Sequence, residues 1–277
     1  MCCKFLILIL LNFLQCGCLK SAPYTPELIE SFQRRPENLR LNFQTDNGHQ
    51  VAFYLPPLDA PDQPPEKIAI LYPGIYSVAL DWLQFIDLRE DPTAAYLLID
   101  YPGRGFSEGV MRPEENYRNT EGALNALAVH FGQERLDADL NLMAHSFGSG
   151  AALQFAVRHQ VQRIGLVAPF NTLRQAIAKK SLLLSILMPD KIDNRELIRI
   201  LLASDQPPLI TIYHGGLDTS LPISMGRELA ALAPDRILFY EFPEDDHVNI
   251  LSRRRNLIFR SLNGPADRNP RFRKIFQ

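Results

Sequence analysis

Past Cys18 the chain has no cysteine: its four, Cys2, Cys3, Cys16 and Cys18, all fall in the first 18 of 277 residues. The body therefore can form no internal disulfide, hold no cysteine-bound zinc and use no thiol nucleophile. Charge of one sign is also missing. Lys and Arg number 29 against 31 Asp and Glu, a net charge of −2, which gives no pull toward nucleic acid or an acidic ligand. No phosphate-binding glycine loop and no cluster of metal-ligand spacing points to a cofactor or a metal. With 46% hydrophobic residues, the chain reads as an ordinary globular body large enough to bury its own core.

The first 18 residues have a different character. Lys4 precedes the apolar run Phe5–Leu14, and small or polar residues follow from Gln15 to Cys18. A bilayer span needs about 20 apolar residues, so this run fits instead the apolar stretch of a secretory signal. Gly17 before Cys18 resembles a bacterial lipoprotein signal with Cys18 as the lipidated residue, although Gln15 stands where an aliphatic residue is usual. A plain cleaved signal or a short uncleaved anchor accounts for the same residues. The expectation is export, as a membrane-anchored lipoprotein or as a periplasmic or secreted protein.

Residues 19–38 read as a polar leader. Leu39–Gln44 and Gln50–Leu55 are strand candidates separated by Asp46-Asn47-Gly48, a hairpin signal. A proline-rich loop, Pro56–Pro65, follows. Short apolar runs then recur at Ile68–Tyr72, Tyr96–Tyr101, Leu140–Ala144, Arg163–Val167, Leu209–Tyr213 and Ile237–Phe242. Helical patterns separate them at Ala79–Leu88, Asn116–Phe131, Phe147–Arg158, Met225–Ala233 and Val248–Leu262. Such alternation predicts an α/β domain over 39–262, with a mostly parallel sheet covered on both faces and an N-terminal antiparallel hairpin. Residues 171–205, with the apolar run Ser181–Met188, exceed one crossover helix and predict a small helical cap; two plain crossover helices would use the same pattern. Residues 263–277 form a basic tail.

The stretch Leu140–Gly150 carries the chemistry. An apolar strand runs into Ala144-His145-Ser146-Phe147-Gly148, and a helical pattern follows. Small residues two places either side of a serine permit a strained strand-to-helix turn that lifts the hydroxyl above the sheet. In that arrangement the partners follow in the order serine, acid, histidine. Of the six histidines only His247 follows Asp218, and it sits beyond the last strand. Asp218 follows the strand Leu209–Tyr213 and the bend His214-Gly215-Gly216-Leu217. Asp100, at another strand end, precedes the serine and is the minor alternative. Asp245 and Asp246, beside His247, read as a solvated turn. Serine needs a base to become a nucleophile, and imidazole oriented by a carboxylate supplies one. The oxyanion donors are expected to be the N–H groups of Phe147 and of Ile75, in the loop Pro73-Gly74-Ile75-Tyr76. There Gly74 would allow close approach of substrate and Tyr76 would line the pocket.

With these pieces the chain resembles the α/β-hydrolase superfamily over roughly 39–262, and within it the ABHD-type serine hydrolases, which include lysophospholipases and protein depalmitoylases. The resemblance rests on Asp100–Gly109, Ala144–Gly148, Tyr213–Asp218 and His247; Pro73 departs from it, standing where histidine is usual. It implies an ester, thioester or amide substrate. A lipid-like or small acyl ester is the first expectation, with a peptidase, amidase or thioesterase next. A surface lipoprotein using the fold only for binding is the alternative outside enzymes. A membrane surface is a possible partner through Cys18, the run Ser181–Met188 and the arginines from Arg253 onward.

Overall fold

The computed structural model describes residues 24–178 and 192–263. Cys18, the start of the leader, the run Ser181–Met188 and the tail beyond 263 lie outside the described residues. Eight strands form one sheet: β1 (Leu39–Thr45), β2 (Gly48–Leu55), β3 (Lys67–Tyr72), β4 (Ala95–Ile99), β5 (Asp139–His145), β6 (Arg163–Val167), β7 (Leu209–Gly215) and β8 (Ile237–Phe242). Their order is β1-β2-β4-β3-β5-β6-β7-β8. β1 and β2 form an antiparallel hairpin and β2 meets β4 antiparallel; from β4 onward every pair is parallel. Thr45 pairs with Gly48, so Asp46 and Asn47 make the hairpin loop. Gly48 takes the left-handed φ of 109° that closes it.

The described helices are α1 (Pro26–Gln33), α2 (Pro113–His130), α3 (Gly148–Ala156), α4 (Leu173–Ala178), α5 (Asn194–Ala203), α6 (Ile223–Ala230), α7 (Asn249–Arg253) and α8 (Arg255–Asn263). The period-2 alternation of the strands divides the core between two faces. Ile70, Leu97, Leu142, Leu166 and Ile212 pack with α2, α3, α5 and α6. Leu71, Leu98, Met143, Val167 and Tyr213 pack with α1, α7, α8 and the 3₁₀ helix Ala79–Gln84.

Three expectations change in detail. A helix over Ala79–Leu88 is instead a 3₁₀ helix ending at Gln84. Its first turn is pinned by Asp81, which accepts from Val78 N–H, and by Asp100, which accepts from Ala79 N–H at 2.8 Å. The helix over Val248–Leu262 breaks at Arg254, whose backbone leaves helical geometry while its side chain reaches Asp245 at 2.6 Å. The described part of the leader holds a helix for which no element was expected: Thr25 caps α1, Pro26 opens it, and Asn38 ties down its last turn. Its Phe32 is 6% exposed and meets Phe53 edge-to-face with centroids 5.0 Å apart.

Within 171–205, Thr172 and Asp193 pair as an isolated bridge, and Asn194 N–H donates to Asn171 O. The chain thus leaves and returns through one neck. α5, just past it, buries Ile198 and Leu201 in the same core as α3.

Phe32→Ala should cost about 3 kcal/mol, as for a core phenylalanine, read from the urea midpoint. A loss under about 0.5 kcal/mol, the size of an ordinary surface change, would return α1 to a solvated leader.

Candidate active site

In the sheet order, β3 has β4 on one side and β5 on the other, so the loops after β3 and β5 part in opposite directions. Crevices form outside the carboxyl ends of strands at such a point. Ser146 follows β5 there with a φ of 54°, a conformation costly for any residue with a Cβ. It is held by its N–H donating to Val167 O (2.9 Å) and by its carbonyl accepting from Ser149 N–H and Oγ. The turn needs glycine at 148, where a Cβ would stand 2.4 Å from Tyr72 O. Ala144, wholly buried between Tyr72 and Leu166 in the sheet, fills the other small position.

Asp218 is delivered by the bend after β7. Gly215 passes so close to the loop after β8 that a Cβ there would lie 2.2 Å from Asp245 O. Asp218 Oδ1 accepts from Ser220 and Leu221 N–H (2.9 and 2.8 Å). His247 sits in the loop after β8, where Asp246 accepts from Val248 and Asn249 N–H. The three side chains meet in one line: His247 Nε2 is 2.9 Å from Ser146 Oγ, and His247 Nδ1 is 2.6 Å from Asp218 Oδ2. An ionised carboxylate only accepts, so Nδ1 carries the hydrogen and Nε2 is left to accept from the serine hydroxyl. Burial by itself would raise the Asp218 carboxyl. Hydrogen bonds from His214, His247 and Leu221 N–H outweigh it and hold the group well below the usual carboxylate range.

Two histidines that sequence order set aside also belong here. His214, fully buried, has Nε2 2.8 Å from Leu221 O and 3.4 Å from Asp218 Oδ2. Gly226 leaves room for its ring, since a Cβ there would be 2.5 Å from Nδ1. Its only sequence signal was a polar residue ending an apolar strand four places before Asp218. His145 donates from Nε2 to His247 O (2.8 Å), tying the Ser146 turn to the His247 loop. Burial and then the neighbouring His247 push its pKa down to about 4.

The loop after β3 lies against this line. A Cβ on Gly74 would stand 3.7 Å from Ser146 Cβ and 3.2 Å from His145 Nδ1. Tyr101 Oη donates to Pro73 O (2.9 Å) and its ring meets Phe147 edge-to-face. Among the described residues, neither Phe147 N–H nor Ile75 N–H donates a hydrogen bond. Ile75 is half-buried and Tyr76 exposed. Among the described residues no group of His, Cys, Asp and Glu has a metal-holding arrangement.

Other carboxylates lie elsewhere. Asp100 is buried beneath its own loop, accepting from Ala79 N–H and Tyr24 Oη, and burial pushes its carboxyl up to about 7. Asp245 corrects the solvated-turn reading: its side chain is fully buried, with Arg254 at 2.6 Å and Arg253 at 2.9 Å. Packing of the loop against α7 and α8 encloses it. Arg255 likewise pairs with Glu90, so the first arginines of the basic stretch are engaged within the domain.

His145 and Asp100 make opposite demands on pH. His145 is depressed, so the unfolded chain binds the extra proton between pH 4 and 6.5, and stability falls as pH drops through that window. Asp100 is raised, so its contribution is full below pH 4 and lost as pH rises toward 7. At about 1.4 kcal/mol per unit, His145 is worth up to about 3 kcal/mol and Asp100 up to about 4 kcal/mol. Asp100→Asn should therefore make stability climb from pH 4 to 6.5, and His145→Gln should make it decline over pH 4 to 7. Urea titrations at each pH read both slopes; equal slopes in the two variants would refute the assignment.

No family model and no curated protein sequence matches the chain. Solved structures do. An esterase of Pyrococcus furiosus superposes with a TM-score of 0.59 at 15% identity, covering 85% of this chain and 91% of that one. The esterase domain of a Rhodothermus marinus protein gives 0.57 at 17%, covering 80% and 94%. An acylaminoacyl peptidase of Pyrococcus horikoshii gives 0.61 at 9%, covering 81% of this chain and 41% of the peptidase. At such identities the likeness speaks of architecture: the chain has the α/β-hydrolase fold.

Proposed function

We propose that this protein is a serine hydrolase that cleaves carboxylic esters of lipid-like or small acyl type through an acyl-enzyme on Ser146. The observation that carries the reading is the unbroken hydrogen-bonded line from Ser146 Oγ through His247 to Asp218.

Ser146 Oγ attacks the ester carbonyl as His247 Nε2 takes its proton. Asp218 stabilises the imidazolium that forms and keeps the ring turned toward the serine. The developing oxyanion is received by the N–H groups of Phe147 and Ile75, worth several kcal/mol together. His247 returns the proton to the departing alcohol oxygen, which breaks the ester bond and leaves the acyl group on Ser146. Water, deprotonated by the same imidazole, then attacks the acyl carbonyl; the acid leaves and Ser146 regains its proton.

The rim of the site favours an apolar acyl group. Tyr76, Leu217 and Val248 are 59%, 60% and 63% exposed, and each stands on a loop beside Gly74, Asp218 or His247. Exposed apolar side chains gathered around a cleft mark a place where apolar substrate is covered. Together with the Asp100–Gly109 loop, this rim supports the ABHD-like reading within the superfamily. Lipidation at Cys18 would hold the site near membrane lipids; the mass of the mature N-terminus tests that part.

A fluorophosphonate probe should label the purified protein and fail to label Ser146→Ala or His247→Ala. Asp218→Asn should keep the fold and lower kcat about 10³- to 10⁴-fold, measured on p-nitrophenyl acyl esters. Labelling that persists in Ser146→Ala would remove Ser146 as the nucleophile. Faster turnover of matched amides than esters would move the substrate class to peptides.

A further inference from the structure

Arg104, in the loop between β4 and α2, is a buried cation with no ion pair among the described residues. The residue is 6% exposed, and its Nη1 is buried with no hydrogen-bond partner. Other arginines of the domain contrast with it: Arg254 pairs with Asp245, Arg195 with Asp193, and Arg163 donates to Ser261 O. The carboxylates of its own loop are engaged elsewhere. Asp100 accepts from Ala79 N–H and Tyr24, and Glu108 accepts from His49 N–H. Burial lowers the guanidinium's pKa, and the group that acts back on its charge is the Tyr76 phenol.

Backbone and side-chain contacts place the loop of Arg104 beside the loop that carries Tyr76. Tyr76 stands two residues beyond Gly74, in the loop that passes Ser146. The two loops are joined where Tyr101 donates to Pro73 O, three residues before Arg104, and Arg104 N–H closes a turn onto Tyr101 O. A buried charge with no internal counter-charge is destabilising, and a guanidinium fork matches a carboxylate or phosphate with paired hydrogen bonds.

We propose that Arg104 receives an anionic oxygen group on the substrate, a carboxylate or a phosphate, while Tyr76, Leu217 and Val248 cover its apolar acyl part. The substrate class is then an amphipathic ester with one charged end. This rests on the Ser146 hydrolase reading and narrows it.

The test compares ester pairs matched in acyl length: 1-acylglycerol 3-phosphate against 1-acylglycerol, and a p-nitrophenyl hemiester of a dicarboxylic acid against its neutral analogue. The parent should favour an anionic member roughly 10- to 100-fold in kcat/KM, as charged hydrogen bonds do. The ratio should fall near one in Arg104→Gln and recover in part in Arg104→Lys. Preference confined to one pair names the group as phosphate or carboxylate. A ratio near one in the parent, or one that survives Arg104→Gln, overturns the proposal.

Binding is read without turnover from thermal unfolding in inorganic phosphate or glutarate, against chloride of equal ionic strength. Stabilisation of the parent that Arg104→Gln lacks supports the site; equal shifts in both proteins, or none, overturn it. Failure of the hydrolase reading shows separately, as absent fluorophosphonate labelling of the parent beside intact anion stabilisation.

Discussion

The left-handed turn at Ser146 is the constraint around which the rest of the molecule is arranged. A serine at φ 54° persists only where its surroundings over-determine it. Here Val167 O holds the serine N–H, Ser149 holds its carbonyl, and Gly148 lies almost in contact with the β3 carbonyl of Tyr72. That last contact requires β3 and β5 to be neighbours, as the strand order makes them. The same adjacency brings the loop of Gly74 beside the hydroxyl. The local strain is therefore supported by an eight-stranded sheet whose central strands are buried on both faces.

Around the turn, polar groups are buried in linked pairs. His145 ties the Ser146 turn to the His247 backbone, and His214 approaches the same Asp218 oxygen that His247 meets. Close by, Asp245 is clasped by Arg253 and Arg254, which fastens the His247 loop to the end of α7 and the break before α8. Each carboxylate so buried has donors, as the cost of desolvating a charge requires. Among the described residues Arg104 departs from this rule, with Nη1 buried and unpartnered.

Much of this was legible in advance, for local reasons. The strand candidates needed only shifts of a residue or two, because short apolar runs between turn signals have few other uses in an α/β chain. Ser146 was singled out by the small residues of its strand-to-helix turn, and Asp218 and His247 by chain order. What escaped were features defined by distant contacts. α1 lies in a stretch rich in polar residues, and only Thr25 and Pro26 marked its start. Asp245 sits beside Asp246 in a run that looks solvated, yet one side chain points inward and the other caps a turn. The break at Arg254 follows from that inward pairing, which no helical periodicity records.

The sequence by itself determined the alternation of strand and helix, the small residues at 144 and 148, and the order serine, aspartate, histidine. These are properties of neighbouring residues and of chain direction, so they can be read without coordinates. Tertiary structure alone decided that His247 lies within hydrogen-bond distance of both Ser146 and Asp218, that His214 and His145 adjoin them, and that Arg104 is buried with no ion pair among the described residues. Those depend on strands far apart in the chain becoming neighbours in the sheet. Burial then sets the energy of each polar group, and burial is a property of the packed molecule.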